Sequence, residues 1–281
     1  MIKKAIGVLL VTIIFHSFQS FASKTTTKSE LSTDVYVFGI EEALLPSTTN
    51  ALHVSDTSTI DYLEIAACTE YSLFTFKKWN TLRYDVFLKA FKGYIVMKSE
   101  GMISNSRYLT VMDFELSANI RRMWVLDMKN HKVVIHDLVS HGKNSGEEFA
   151  SSFSNQHESF KSSLGFYVTG NPYIGKNDYS LKLHGVENGF NDNAFDRGIV
   201  IHAAEYVCSD YICFNNRLGR SQGCPAVSPK INKWVINTIQ GGSCLFIYYP
   251  DKQYLKLSSI INAQNPPKEY LQNAEYALNL P

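Results

Sequence analysis

Gly219-Arg220-Ser221-Gln222-Gly223-Cys224-Pro225-Ala226-Val227 places a cysteine directly after a glycine, in a turn-like run that closes on apolar residues. Upstream, Gly198-Ile199-Val200-Ile201-His202 is an apolar, strand-like run that ends on a histidine. The two runs complement each other chemically. A thiol reacts as its thiolate. A histidine within hydrogen-bond reach can take the thiol proton and later return it to a leaving amine. Gly223 leaves room for a substrate carbonyl. The N–H groups of Gly223 and Cys224 are expected to face the developing oxyanion, where each donor is worth roughly 3 kcal/mol. The pairing reads as a cysteine acyl-transfer site, with Cys224 as nucleophile and His202 as base.

The flanking segments give that site a scaffold. Gly198 to Ile201 is a near-continuous apolar run, as a buried central strand requires. It sets His202 at a strand end, where a rigid frame meets solvent. After the cysteine, Ser228 is placed to cap a helix and Pro229 fits its first turn. Ile231, Trp234, Val235, Thr238 and Ile239 are its expected buried face, and Gly241-Gly242 its stop. Cys244 to Tyr249 reads as a strand. Before the histidine, Leu109–Phe114, Met123–Met128 and Val133–Ser140 read as strands, the last two joined as a hairpin through Lys129 to Lys132. Gly165–Gly170 and Ser180–Val186 add two short strands. The polar loop from Ser140 to Ser163 is long enough to suggest a cleft wall. Its His141 is either a structural loop residue or a substrate contact. Leu63 to Gly101 reads as helical, with Phe87, Leu88, Phe91, Tyr94 and Ile95 as a core-facing stripe and Gly101 as the stop.

The residues around the cysteine resemble the murein L,D-transpeptidase family, whose members carry a histidine at a strand end, a loop, and then Ser/Thr, one residue, Gly and Cys. Here those positions are His202 and then Ser221, Gln222, Gly223 and Cys224. The likeness extends to Leu183-His184-Gly185 and Asn191-Asp192-Asn193, with weaker echoes in Ser140 to Gly146 and Ser162 to Gly165, covering roughly Leu109 to Pro250. It implies a mostly-β, β-sandwich-like fold with a long helix. It also implies a substrate among peptidoglycan stem peptides, attacked at the amide between the L-centre of a diamino acid and a following D-alanine. A second stem's amine resolving the thioester makes the enzyme a transpeptidase, and water makes it an L,D-carboxypeptidase. A silent wall-binding protein that keeps the fold is the competing class. His184 is expected to face the cleft. Many members place an arginine two residues after the cysteine, where this chain has Ala226. Arg220 is therefore expected either to take an anion-facing role or to fix the loop through a salt bridge, with Arg197 a second candidate for the anion.

Composition and termini bound the rest. The chain has 281 residues, 45% hydrophobic and 19% charged, which is globular rather than disordered. A net charge of +1 offers no basis for nucleic-acid binding. Lys3-Lys4, the apolar run Ala5 to Phe15 and the small residues of Ser20-Phe21-Ala22 read as a signal peptide cleaved after Ala22. Export to the periplasm or cell envelope, with no membrane span after cleavage, is the expectation. The expected order is a signal peptide (1–22), a leader (23–62) with a short helix around Gly39 to Leu45, a helical region (63–107), a catalytic domain (108–256) and a polar tail (257–281). In an oxidising compartment the five cysteines matter. Either Cys208 and Cys213, close enough in sequence, close a short loop as a disulfide, leaving Cys68 and Cys244 by elimination and Cys224 free, or all five are reduced and most are buried packing residues. The Cys-x4-Cys spacing is too loose for a zinc site, so no metal or cofactor is expected. The sequence does not give the oligomeric state.

Overall fold

The computed structural model describes residues 62–263. The expected signal peptide, leader and Gly39–Leu45 helix lie outside the described residues, as does the tail beyond residue 263.

Two helices open the described chain, α1 (Tyr62–Leu73) and α2 (Tyr84–Ser99). The single helical stretch expected from Leu63 to Gly101 is thus interrupted. Asn80 makes the break: its Oδ1 accepts from the Lys77 N–H at 2.6 Å and its own N–H donates to the Lys77 carbonyl at 2.8 Å. This local turn competes with helical bonding. In α2, Phe87, Phe91, Tyr94 and Ile95 are buried as the periodicity predicts, and Gly101 follows with φ of 68°. Gly93 is glycine for a packing reason. A Cβ there would meet the Phe166 ring at 2.0 Å, so α2 presses its backbone onto the sheet.

Eight strands form the sheet: β1 (Tyr108–Asp113), β2 (Met123–Asp127), β3 (Lys132–Asp137), β4 (Gly165–Gly175), β5 (Asp178–Gly185), β6 (Val200–Ala203), β7 (Ala226–Val227) and β8 (Cys244–Tyr248). Their order is β3-β2-β1-β8-β4-β5-β6-β7. β1 pairs β8 and β6 pairs β7 in parallel, and the other neighbours are antiparallel. The mostly-β class with N-terminal helices is therefore borne out. β4 runs five residues past the expected Gly170, because a register shift between Thr169 and Pro172 lets the proline sit where no ladder bond is needed. Neighbouring strands press together the rings of Phe166 and Phe246, 4.2 Å apart and nearly parallel, at the centre of the core.

Three further helices complete the frame: α3 (Ser209–Asn215), α4 (Pro229–Ile239) and α5 (Lys252–Leu257). Ser228 caps α4, its hydroxyl accepting from the Lys230 N–H, with Pro229 in the first turn. The buried face of α4 is Asn232, Val235, Ile236 and Ile239, whereas Trp234 is 54% exposed. The helix is rotated from the expected face because Asn232 turns inward and donates to the Tyr179 carbonyl at 2.7 Å. α5 overlaps the expected boundary at residue 256 between the catalytic domain and the tail. Asp251 caps it, Tyr254 is fully buried, and the Tyr254 hydroxyl donates to Glu187 at 2.9 Å. The carboxylates Asp113 and Asp127 pair with Arg83 and Arg107.

Candidate active site

Pairing of β6 with β7 aligns His202 with Ala226, two residues after Cys224. The register thus brings the histidine and the cysteine loop to one end of two adjacent strands. His202 lies within β6 rather than just beyond it, because the strand runs from Val200 to Ala203. Both side chains line a cleft of about 700 Å³. The His202 Nδ1 is 2.8 Å from the Ala203 carbonyl oxygen. A carbonyl only accepts, so Nδ1 carries the proton and Nε2 is left as the free basic nitrogen of the ring. Burial lowers the pKa of His202 and raises that of Cys224. Both shifts favour the neutral forms, thiol and imidazole, of two groups that line the same cleft. The thiol donates to the Gly198 carbonyl at 3.6 Å. The Val200 N–H and the Arg197 charge act in the opposite sense to burial and favour the thiolate.

Ser221 shapes the cysteine loop. Its hydroxyl accepts from the Gly223 N–H at 3.0 Å and donates to the Cys224 carbonyl at 2.6 Å. The Gly223 N–H is thereby committed within the loop, which corrects its expected place in an oxyanion hole. The Cys224 N–H has no hydrogen-bond partner among the described residues. Gly223 adopts φ of 123°, and a Cβ there would approach the Lys161 carbonyl oxygen to 2.9 Å. Its own carbonyl accepts from the Ser162 hydroxyl at 3.1 Å. Gln222 is exposed and lines the cleft. On the other side, the Ser221 N–H donates to the His141 carbonyl at 2.9 Å, and the Lys143 N–H donates to the Ser221 carbonyl at 2.8 Å. The Ser140–Ser163 loop thus forms part of the cleft wall, through His157, Glu158 and Phe160.

The family comparison is consistent with this arrangement over the same residues, because the L,D-transpeptidase catalytic domain matches residues 78–248. The chain belongs to that family. No curated protein sequence matches it. Among solved structures it is similar to an L,D-transpeptidase from Mycobacterium smegmatis, at 13% identity and a TM-score of 0.33, over 51% of this chain and 59% of that one. It is also similar to the L,D-transpeptidase of Stackebrandtia nassauensis, at 12% identity and a TM-score of 0.32, over 67% of this chain and 91% of that one. A third is L,D-transpeptidase 1 of Mycobacterium tuberculosis, at 12% identity and a TM-score of 0.29, over 50% and 60% of the two chains. The chain spans less than two thirds of the length of the first and third of these.

Within this L,D-transpeptidase domain the outlying candidates separate. Arg197 lines the cleft and holds its wall, donating to the Ser154 carbonyl (2.8 Å), the Ser163 hydroxyl (2.8 Å), the Ser159 hydroxyl (3.2 Å) and the Lys161 carbonyl (2.7 Å). Arg220 also lines it, but its guanidinium binds the Lys143 and Gly146 carbonyls and the Glu147 carboxylate at 2.7 Å. It is the loop-fixing ion pair, not a free anion receptor. His141 is fully buried and outside the cleft, which decides for the structural loop residue over the substrate contact. Its Nδ1 accepts from Arg122 at 2.8 Å, which leaves Nε2–H facing the Gly146 carbonyl at 3.3 Å. Burial and the Arg122 charge hold its pKa down at about 4. His184 is also not in the cleft. It stacks on Phe195, centroids 4.9 Å apart, beside Lys182 on another part of the surface. The family-like Gly185 and Asn191 are structural partners: a Cβ on Gly185 would meet the Asn191 carbonyl oxygen at 1.9 Å.

Of the two readings of the cysteines the reduced one holds, and no disulfide is formed among the described residues. All five cysteines are free thiols. The loop that a Cys208–Cys213 bridge would close is instead helix α3, with the Cys208 sulfur capping it by accepting from the Tyr211 N–H. Cys244 is buried against Met97, 3.7 Å between sulfurs, while Cys68 is exposed. Sequence reasoning missed Tyr206, which lines the cleft and whose phenol is pushed up to about 12 by burial first and by nearby Cys224 second. Gly219 marks it in hindsight, since a Cβ there would strike the Tyr206 side chain at 2.3 Å. Among the described residues no group of three His, Cys, Asp or Glu side chains is arranged to hold a metal. No described helix is long and apolar enough to cross a membrane.

Proposed function

We propose that the protein is an exported L,D-transpeptidase that joins peptidoglycan stem peptides through a Cys224 thioester. The observation that carries this reading is the shared cleft of Cys224 and His202, with the His202 tautomer fixed by the Ala203 carbonyl so that Nε2 is the base. The Cys224 sulfur attacks the carbonyl that follows the L-centre of the diamino acid, and His202 Nε2 takes the thiol proton as the C–S bond forms. The Cys224 N–H faces the oxyanion. The tetrahedral adduct collapses, the C–N bond breaks, and the imidazolium returns the proton to the departing D-alanine amine. The amine of a second stem then attacks the thioester carbonyl. His202 accepts its proton and passes it to the leaving sulfur, which restores the thiol. Because both partners rest neutral, proton transfer accompanies attack instead of preceding it. Arg197, with only neutral oxygens for partners, adds a positive charge that favours the sulfur anion as it develops. The site acts in the periplasm or cell envelope, where its polymer lies.

The test is to incubate the mature protein with peptidoglycan and weigh the digested muropeptides, with Cys224→Ala and His202→Ala alongside. Cross-linked dimers lacking the terminal D-alanine, absent in Cys224→Ala, are the expected result. Trimmed monomers alone assign water as acceptor and make the enzyme an L,D-carboxypeptidase. Dimers formed by Cys224→Ala would overturn the thioester route.

A further inference from the structure

Arg122, just before β2, is fully buried, and among the described residues it has no carboxylate within ion-pair distance. Asp113 acts on it through space but is itself bonded to Arg83 at 3.0 Å. Burial brings the Arg122 pKa down to about 9, which leaves the guanidinium charged at neutral pH. Its donors go to neutral acceptors. Nε and Nη2 lie 3.2 and 3.1 Å from the Val139 carbonyl oxygen, Nη1 2.8 Å from the Leu116 carbonyl oxygen and Nη2 2.8 Å from His141 Nδ1. An apolar side chain of similar size fills such a site at lower cost. What the arginine adds is a charged donor facing His141, which obliges Nδ1 to accept and so keeps the ring neutral.

The segment held by that ring is the one on which the cysteine loop rests. The His141 carbonyl accepts from the Ser221 N–H at 2.9 Å, and the Ser221 carbonyl accepts from the Lys143 N–H at 2.8 Å. Between them Gly142 and Ser221 form a parallel bridge. The Ser140 N–H donates to the Ala226 carbonyl at 2.9 Å, on the other side of the cysteine. Residues 140–143 therefore hold Ser221 and Ala226, which flank Cys224. The contact is close: a Cβ on Gly142 would approach the Gly223 Cα to 2.9 Å. From Ser221 the hydroxyl carries the connection on, to the Gly223 N–H at 3.0 Å and the Cys224 carbonyl at 2.6 Å.

The charges that face His141 are Arg122, from the entry to β2, and Arg220, from the cysteine loop. Glu147 pairs with Arg220 through its carboxylate, and Asp113 acts on Arg122. Protonation of Nδ1 would set two cationic donors 2.8 Å apart in a buried site. Their repulsion there is barely screened, so the ring and the arginine must separate. The ring leads into the backbone that holds Ser221, and its displacement moves the cysteine loop.

From this geometry we propose that Arg122 is a positioning residue for the proposed acyl-transfer site: by donating to His141 it fixes a neutral ring, and through residues 140–143 it fixes the loop that carries Cys224. The kinetic consequence rests on the function proposed above, but the first test needs no substrate. The Gly223 amide is followed by NMR in protein labelled with 15N-glycine, from pH 7.5 to 4, in His202→Gln, where the cleft imidazole no longer titrates. It is expected to shift as pH falls towards the His141 value of about 4. Adding His141→Gln, whose side-chain carbonyl accepts from Arg122 but takes up no proton, should remove that component. A Gly223 titration unchanged by His141→Gln would overturn the proposal. The second test separates positioning from stability. His141→Leu leaves an Arg122 donor without its partner, whereas Ile135→Ala truncates the core in β3, at the opposite end of the strand order from β7. His141→Leu is expected to lower kcat on a stem peptide by roughly tenfold or more with KM little changed, and Ile135→Ala to keep wild-type turnover at a comparable loss of melting temperature. Equal turnover by the two variants would reduce Arg122 and His141 to a stability role and overturn the proposal. If Gly223 follows His141 while the wild type turns over no stem peptide, the positioning stands and the acyl-transfer reading falls.

Discussion

Ser221→Ala is the sharpest perturbation of the nucleophile loop. The Ser221 hydroxyl is buried and holds both the Gly223 N–H and the Cys224 carbonyl, at 3.0 and 2.6 Å. Deleting it strands the buried Gly223 N–H, which costs about 1–3 kcal/mol, and removes a second bond worth about 1 kcal/mol. A total of about 2–4 kcal/mol lowers the melting temperature of a domain this size by about 5–15 °C. The kinetic effect is separate. The loop carries the sulfur and the N–H proposed to face the oxyanion, and displacement of a reacting group by about 1 Å can lower turnover as much as 100-fold. Thermal melting and turnover at 25 °C, well below the transition, report the two effects independently. The rate of Cys224 alkylation, read by mass spectrometry, follows the loop without a substrate. Ser221→Thr keeps the hydroxyl and should recover most of the turnover. If Ser221→Ala melts within about 1 °C of wild type and turns over normally, the loop is held by something else and the reasoning fails.

Burial depresses the His202 pKa, and the base must be neutral to act, so the acid limb of kcat/KM is expected below the ordinary histidine value of 6.5. A limb at or above 6.5 in a pH–rate profile would contradict the neutral pair. His141 predicts a stability effect of definite sign. Its folded pKa of about 4 lies below the unfolded 6.5, so its contribution is complete above pH 6.5 and is lost as pH falls towards 4. The loss amounts to about 3 kcal/mol, and urea midpoints at pH 7 and 4.5 should show it in the wild type but not in His141→Gln. Cys68, Cys208 and Cys213 should each be alkylated without reductant, and Cys244 only in denaturant; protection of both Cys208 and Cys213 would restore the bridge and require α3 to unwind.

The parts of the fold that were legible in the sequence are those governed by local chemistry. The Ser228-Pro229 cap, the hairpin between β2 and β3 and the apolar run into His202 depend on residues a few positions apart. What failed depends on distant partners. The break before α2 needs Asn80 to prefer a turn, and that turn is secured by Trp124 from a strand more than 40 residues away. The rotation of α4 follows from Tyr179, whose carbonyl accepts from Asn232. None of these pairings leaves a periodic trace in the sequence.

The site divides along the same line, and the charges show why. Histidine and cysteine could be paired because their short motifs carry chemistry, whereas the two arginines could not be ranked from sequence. Arg220 sits beside the cysteine in the chain, yet its charge is met by Glu147, which also pairs with Arg217 at 2.9 Å. Arg197 is 27 residues away, and among the described residues it has no carboxylate partner. Its four hydrogen bonds go to neutral oxygens, which fix its position without cancelling its charge. In a partly dehydrated cleft an uncancelled charge acts over several ångströms far more effectively than in water. A compensated arginine next to the motif therefore contributes rigidity, while the uncompensated one across the cleft contributes field. That field is felt at the Cys224 sulfur, where it opposes burial and lowers the energy needed to reach the thiolate.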